Sequence, residues 1–266
     1  MSMVTEAFGK ARAEDRAALV GYLPAGFPDK ATAIKAALAM AEAGADVIEV
    51  GLPYSDPLMD GPVIADAVYQ ALRGGTRIAD VFDTVQAIAG AGTAAVIMTY
   101  WNPVDQYGTD AFARDLTNAG GAGLITPDLT PEEAAPWLEA SDSYGLDRIF
   151  LVAPSSPEHR IAEITQVCRG FVYAVSLMGI TGTRTAVNSG AAALVGRTRE
   201  HTGLPVAVGL GVSNREQAAE VAGFADGVIV GSAFVRRLGD ASDPDAAIAA
   251  VRTLTADLAE GVRRRR

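Results

Sequence analysis

The feature that most constrains this chain is a regular alternation of short apolar runs with alanine-rich helical patterns, repeated eight times. The runs span residues 18–23, 46–51, 94–100, 122–126, 148–152, 171–176, 205–208 and 226–230. They are too short for buried helices and have the length and composition of buried strands. The intervening segments carry helix start signals. Thr130-Pro131-Glu132-Glu133 reads as a capping box with proline in the first turn, and Ser156-Pro157 and Asp243-Pro244 open helices in a similar way. The last segment places Ile248, Val251, Leu254, Leu258 and Val262 at helical spacing, a stripe that should face the strands. Eight strand–helix units in 266 residues, with no linker or shift in composition, predict one domain over residues 1–266, an α/β fold closed as a (β/α)8 TIM barrel. An open doubly wound sheet is the competing architecture, and the unbroken alternation from first run to last favours closure. Helical stretches at 5–13 and 78–89 are expected as additions to the ring.

Composition removes several classes of function. A net charge of −10 and a pI of about 4.7 give no broad attraction to nucleic acid or acidic membranes. The four arginines at 263–266 follow a helix and suit the negative end of its dipole. Cys168 is the only cysteine, which excludes an internal disulfide and a cysteine-cluster metal site. His159 and His201 fall in polar helical segments, where a surface position is expected rather than a metal site or catalytic triad. The lysines are Lys10, Lys30 and Lys35, so none stands on a later strand to form a Schiff base. Residues 1–16 mix acids and bases without the apolar core of a secretory leader, and no apolar run approaches the roughly 20 residues of a membrane helix. A soluble, cytoplasmic protein is expected.

Barrel chemistry sits at the C-terminal ends of the strands and on the loops that follow. The second run ends Asp46-Val47-Ile48-Glu49-Val50-Gly51, so Glu49 shares a face with Val47 and lies at such an end. Asp60 follows on the proline-rich loop. A carboxyl directed into a barrel must be solvated, paired or shifted in pKa, and two of them close together form a candidate acid/base pair. The bland reading, a surface charge or helix cap, is the weaker one once the barrel is assigned.

The last two runs end in Gly209-Leu210-Gly211 and Gly231-Ser232. In barrels of this type the corresponding loops and a helix N-terminus commonly hold a phosphate. Glycines allow close approach of backbone N–H groups, and Ser232 adds a hydroxyl. The alternative for the first turn is a plain strand-to-helix connection, with Ser213-Asn214-Arg215-Glu216 as a capping box. A dinucleotide fingerprint fits less well, because Asn214 occupies the third glycine position. On the sixth run Tyr173 shares its face with Val175 and is expected to point inward. The glycine- and threonine-rich stretch from there to Gly190 reads as a long loop or lid, with Arg184 on it as a solvated arginine within reach of a ligand anion.

Several stretches together resemble the tryptophan synthase alpha chain family over essentially the whole sequence. They are Gly21-Tyr22-Leu23-Pro24-Ala25-Gly26, the long run from Ile48 through Pro53-Tyr54-Ser55-Asp56-Pro57-Leu58-Met59-Asp60-Gly61-Pro62, and Thr99-Tyr100-Trp101-Asn102-Pro103. Pro127-Asp128-Leu129, Gly179-Ile180-Thr181-Gly182, Gly209-Leu210-Gly211 and Gly231-Ser232 continue the likeness. The resemblance implies a carbon–carbon lyase of tryptophan biosynthesis that cleaves indole-3-glycerol phosphate to indole and glyceraldehyde 3-phosphate. It further implies a beta-chain partner in an alpha2beta2 assembly, with pyridoxal phosphate in that partner and no cofactor or metal in this chain. By the same likeness Glu49 moves protons, Asp60 accepts the indole N–H, and Tyr173 lines the reacting end. Gly182, Gly211, Gly231 and Ser232 hold the phosphate, Tyr22 packs near the substrate, and Asp56 faces the partner. Tyr22 stands where phenylalanine is frequent, Leu210 where an aromatic is common, and Leu177-Met178 where polar residues are common. A stand-alone lyase, a non-catalytic regulatory barrel and another phosphosugar enzyme such as an isomerase are the alternatives. The intact Glu49 and Asp60 speak against a pure scaffold.

Overall fold

The computed structural model describes residues 2–175 and 184–263, the side chains of residues 184–188 apart. Among these, nine strand segments form one sheet: β1 (Ala18–Pro24), β2 (Val47–Gly51), β3 (Ala94–Met98), β4 (Gly123–Ile125), β5 (Asp147–Ile149), β6 (Leu151–Val152), β7 (Val172–Val175), β8 (Val206–Gly209) and β9 (Gly227–Val230). The order is β5-β4-β3-β2-β1-β9-β8-β7-β6, and every pairing is parallel. β5 and β6 are two halves of one run, interrupted only at Phe150. The Ile149 carbonyl accepts the Thr126 N–H at 3.2 Å on one side, and the Phe150 carbonyl accepts the Tyr173 N–H at 3.1 Å on the other. Bonding both neighbours, this run joins the two ends of the sheet into the expected eight-stranded barrel.

The helices are α1 (Met3–Ala13), α2 (Lys30–Ala43), α3 (Pro62–Arg73), α4 (Ile78–Gly90), α5 (Trp101–Tyr107) and α6 (Thr109–Asn118). They continue with α7 (Ala135–Tyr144), α8 (Glu158–Val167), α9 (Arg184–Arg199), α10 (Arg215–Ala222), α11 (Ser232–Gly239) and α12 (Pro244–Val262). Strand side chains alternate between two cores. Val20, Val47, Val96, Ala207 and Ile229 fill the barrel interior, whereas Ile48, Ile97, Leu124, Val208 and Val228 pack outward beneath the helices. Both faces are buried, which is why the runs read as continuously apolar rather than alternating. On α12 the expected stripe is inward: Val251, Leu254, Leu258 and Val262 are buried and Ile248 is half-buried.

α1 closes the N-terminal end of the barrel. Val4, Phe8 and Ala11 are buried in the inner core, and the Phe8 ring lies 5.2 Å from that of Phe171. Gly227 makes the room, since a Cβ there would stand 2.9 Å from the Phe8 ring. Ser2 caps α1 by accepting the Thr5 N–H at 3.1 Å and donates to the buried Asp147 carboxylate, fastening the plug to β5.

Four local expectations are corrected. The helix added to the ring is α3, which packs on α11 and β1, whereas α4 lies against β2 and β3 as a ring helix should. The Thr130 capping box forms a single turn, and α7 begins at Ala135. A helix running from Pro131 would carry Pro136 in its second turn, where proline lacks the N–H and clashes with the preceding turn. The cap of α10 is Asn214, accepting the Gln217 N–H at 3.0 Å, rather than Ser213, whose N–H and hydroxyl both go to the Gln217 side chain. Finally, the expected loop to Gly190 is helical from Arg184 onward, as the start of α9. Residues 176–183 and the Arg184 side chain lie outside the described residues, as do the arginines at 264–266.

Candidate active site

Three successive inward positions of β2 define the site: Val47, Glu49 and Gly51. Val47 belongs to the sealed interior, and Glu49, one layer higher, is 1% exposed. Neither of its carboxyl oxygens has a hydrogen-bond partner among the described residues. Burial without a compensating charge disfavours the ionised form and pushes the Glu49 pKa up to about 8. At neutral pH Glu49 is therefore a protonated acid held in an apolar wall. Tyr22 of β1 and Val96 of β3 flank it in register.

Asp60 reaches the same mouth from the β2–α3 loop. It is half-buried, and burial raises its pKa to about 6, so at neutral pH it is largely ionised. Two carboxyls of one site are thus held on opposite sides of neutrality, one to donate a proton and one to carry charge. The loop that bears Asp60 is braced by the next two strand ends. Tyr100 Oη accepts the Met59 N–H at 2.8 Å, and the Tyr100 ring stacks on Tyr54 at 5.5 Å between centroids. Asn102 donates to Tyr54 Oη at 3.1 Å. The Asp128 carboxylate accepts the Trp101 N–H at 2.9 and 3.1 Å. The bracing role of Tyr54 and Tyr100 was missed from sequence. The one local signal was a polar-aromatic cluster directly after a strand, which by itself is also an ordinary helix start.

Tyr22 and Tyr173 project inward at the same level. Glycines admit their hydroxyls: a Cβ at Gly51 would lie 2.3 Å from Tyr22 Oη, and one at Gly209 would lie 2.8 Å from Tyr173 Oη. Burial, and then the nearby Asp60 and Glu49 charges, push the Tyr22 phenol well above its usual range. Tyr173 is raised likewise, by burial first and then by Glu49, Tyr22 and Asp60. The inward direction expected for Tyr173 is realised.

Across the mouth, Gly231 is the cap residue of α11 and Ser232 its first residue, with no side-chain cap. The first N–H groups of that helix are thus left for an anion. Gly211 has a left-handed φ of +62°, which a side chain would strain. The structure thus brings Glu49, Asp60, Tyr22 and Tyr173 together, and sets Gly211, Gly231 and Ser232 at the ends of β8 and β9. Gly182 lies outside the described residues. Asp56 is exposed, accepting from the Ser55 hydroxyl at 2.6 Å on a loop whose Leu58 and Met59 are 91% and 55% exposed. A cavity of about 500 Å3 at the opposite end is lined by charged groups such as Arg16 and Asp46 that neutralise one another at 2.7 Å. Among the described residues no cluster of histidine, cysteine, aspartate or glutamate could hold a metal ion, and no helix is long and apolar enough to cross a membrane.

Comparison with known proteins decides the lineage. The family model of the tryptophan synthase alpha chain matches residues 8–263. The tryptophan synthase alpha chain of Thermobifida fusca is 59% identical over 99% of this chain and 98% of its own length, and that of Acidothermus cellulolyticus is 60% identical over the same shares. The chain belongs to the tryptophan synthase alpha chain family. Among solved structures, tryptophan synthase from M. tuberculosis matches with a TM-score of 0.91 at 53% identity, covering 98% of this chain and 99% of that one. The alpha subunit from Legionella pneumophila, at 32% identity, still gives 0.90 over 98% of both chains. Leu210 is buried at the turn after β8, and Tyr22 adds a hydroxyl at the mouth.

Proposed function

We infer that this protein is the alpha subunit of tryptophan synthase and cleaves indole-3-glycerol phosphate to indole and glyceraldehyde 3-phosphate. The observation that carries the assignment of roles is the pair of carboxyls at the mouth, a buried, unpartnered Glu49 with its pKa near 8 and an Asp60 near 6. Indole is a poor leaving group as a carbanion. Protonation of its C3 by Glu49 converts the ring into an electron sink, and the positive charge falls on N1–H, which Asp60 accepts. Glu49, now a carboxylate, takes the proton from the hydroxyl on the carbon attached to C3. As the O–H pair becomes the aldehyde carbonyl, the C–C bond breaks and its electrons return to the ring. Glu49 ends protonated as it began, so the step consumes no oxidant or co-reactant. Gly211, Gly231, Ser232 and the start of α11 anchor the phosphate, with Gly182 proposed as a further contact. Acid/base assistance supplies about 10²–10⁴-fold, so positioning through the phosphate must supply much of the rest.

The exposed Leu58 and Met59 beside Asp56 favour a covered surface, and we assign it to the beta chain, in an alpha2beta2 complex whose pyridoxal phosphate sits in that partner. This chain itself uses no cofactor, and a cytoplasmic location suits an enzyme of amino-acid biosynthesis. The test is the Glu49→Gln variant. It should release no indole while binding a phosphorylated substrate analogue as well as wild type does, and near-normal turnover would refute the role of Glu49. Adding a beta chain should raise wild-type activity; absence of both complex and stimulation would favour a stand-alone lyase.

A further inference from the structure

Tyr22 is 6% exposed and stands beside Glu49 in the β1–β2 register. Its ring runs along the mouth of the barrel. One end lies against the anion-binding turn, where a Cβ at Gly231 would be 3.5 Å from Tyr22 Cδ1. The other end lies above Glu49, where a Cβ at Gly51 would be 2.3 Å from Oη. Apolar packing of the ring does not require the oxygen, because phenylalanine would fill the same slot. Gly51 makes room for the ring edge as well as for the oxygen, a Cβ there standing 2.7 Å from Cε2 and Cζ, and the oxygen has no hydrogen-bond partner among the described residues. The hydroxyl is therefore a donor still available to whatever occupies the mouth. Tyr22 also lines, with Asp60, Met98 and Tyr100, the cavity at the mouth. A substrate stretched from Ser232 to Asp60 carries its chain hydroxyls past this point.

We propose that the Tyr22 hydroxyl is a further catalytic residue, donating a hydrogen bond to the substrate oxygen that becomes the aldehyde carbonyl. The inference rests on the lyase reading above. The substrate hydroxyl gives its proton to Glu49, the C–C electron pair moves into the indole ring, and Tyr22 keeps its own proton throughout. The bond strengthens as negative charge gathers on that oxygen and so acts mainly on the chemical step.

The experiment compares wild type with Tyr22→Phe, using indole-3-glycerol phosphate as substrate and 3-(indol-3-yl)propyl phosphate, which lacks both chain hydroxyls, as a binding probe. The variant should lose about 10–100-fold in kcat, with KM changed less, and should bind the probe within about twofold of wild type. An unchanged kcat, or equal losses for substrate turnover and probe binding, would overturn the proposal, the second outcome marking Tyr22 as packing alone. A wild-type chain that binds the probe but never cleaves the substrate would overturn the lyase reading, and Tyr22's role with it. An active wild type matched by its variant would overturn Tyr22's role only.

Discussion

Glu49 is buried without a partner at the expense of stability, and that expense has a pH signature. Below pH 4.5 the carboxyl is protonated in both folded and unfolded chains and contributes nothing. As pH rises from 4.5 to about 8, the unfolded chain releases this proton while the folded chain keeps it, so stability falls. Above about 8 both forms are ionised and the full loss persists. At about 1.4 kcal/mol for each pH unit, the loss reaches about 5 kcal/mol, of which about 3 kcal/mol falls between pH 6 and pH 8. Glu49→Gln removes the titration but keeps shape and polarity. Its stability relative to wild type should therefore grow by about 3 kcal/mol from pH 6 to pH 9, about 6–12 °C in Tm for a chain of this size. Asp60 works in the same sense between 3.8 and about 6 and cancels in the comparison. The assay is scanning calorimetry of both proteins at pH 6, 7, 8 and 9, all above the pI of about 4.7. Parallel Tm profiles would refute a buried, protonated Glu49, and a wild-type advantage that grows with pH would mean that the native site favours the anion.

Two further outcomes follow from the same geometry. The kcat/KM of the wild type should rise as pH passes about 6, where Asp60 ionises, and fall as it passes about 8, where Glu49 loses its proton; a flat profile from 5 to 9 would separate these carboxyls from the reaction. Phe8→Ala, at the far end of the barrel, should lower stability by about 3–5 kcal/mol while leaving kcat of the folded enzyme within about twofold, and unchanged urea denaturation would show that α1 is no plug.

Tyr54, Tyr100 and Asp128 show how a loop can be held rigid without belonging to regular structure. The β2–α3 loop carries Asp60, yet its backbone is anchored at Met59 by a side chain from the next strand end. That side chain is in turn packed on a residue of the same loop. On the proposed lyase reaction, rigidity of this kind fixes a carboxylate where charge would develop, which is where preorganisation contributes most. The exposed apolar tip at Leu58 and Met59 is carried by the same brace, so a partner seated on the tip would press directly on the loop that bears Asp60.

Periodicity alone determined the barrel, because strands buried on both faces must be apolar throughout and each needs a helix to return the chain. It also put Glu49 on the inward face, since a carboxylate sharing a face with Val47 has no route to solvent except the barrel mouth. The caps at Asp243 and the stripe on α12 were equally local. Other features depended on contacts distant in sequence. Which of α3 and α4 joins the ring is decided by packing against α11 and β3, and the capping box at Thr130 lost its helix to Pro136. Tyr54 and Tyr100 brace Asp60 only because parallel neighbours end at one rim. Gly51 and Gly209 look like ordinary strand ends until the tyrosines that occupy their empty Cβ positions are seen. Residue type set which groups could do chemistry, and closure of the barrel decided which of them met.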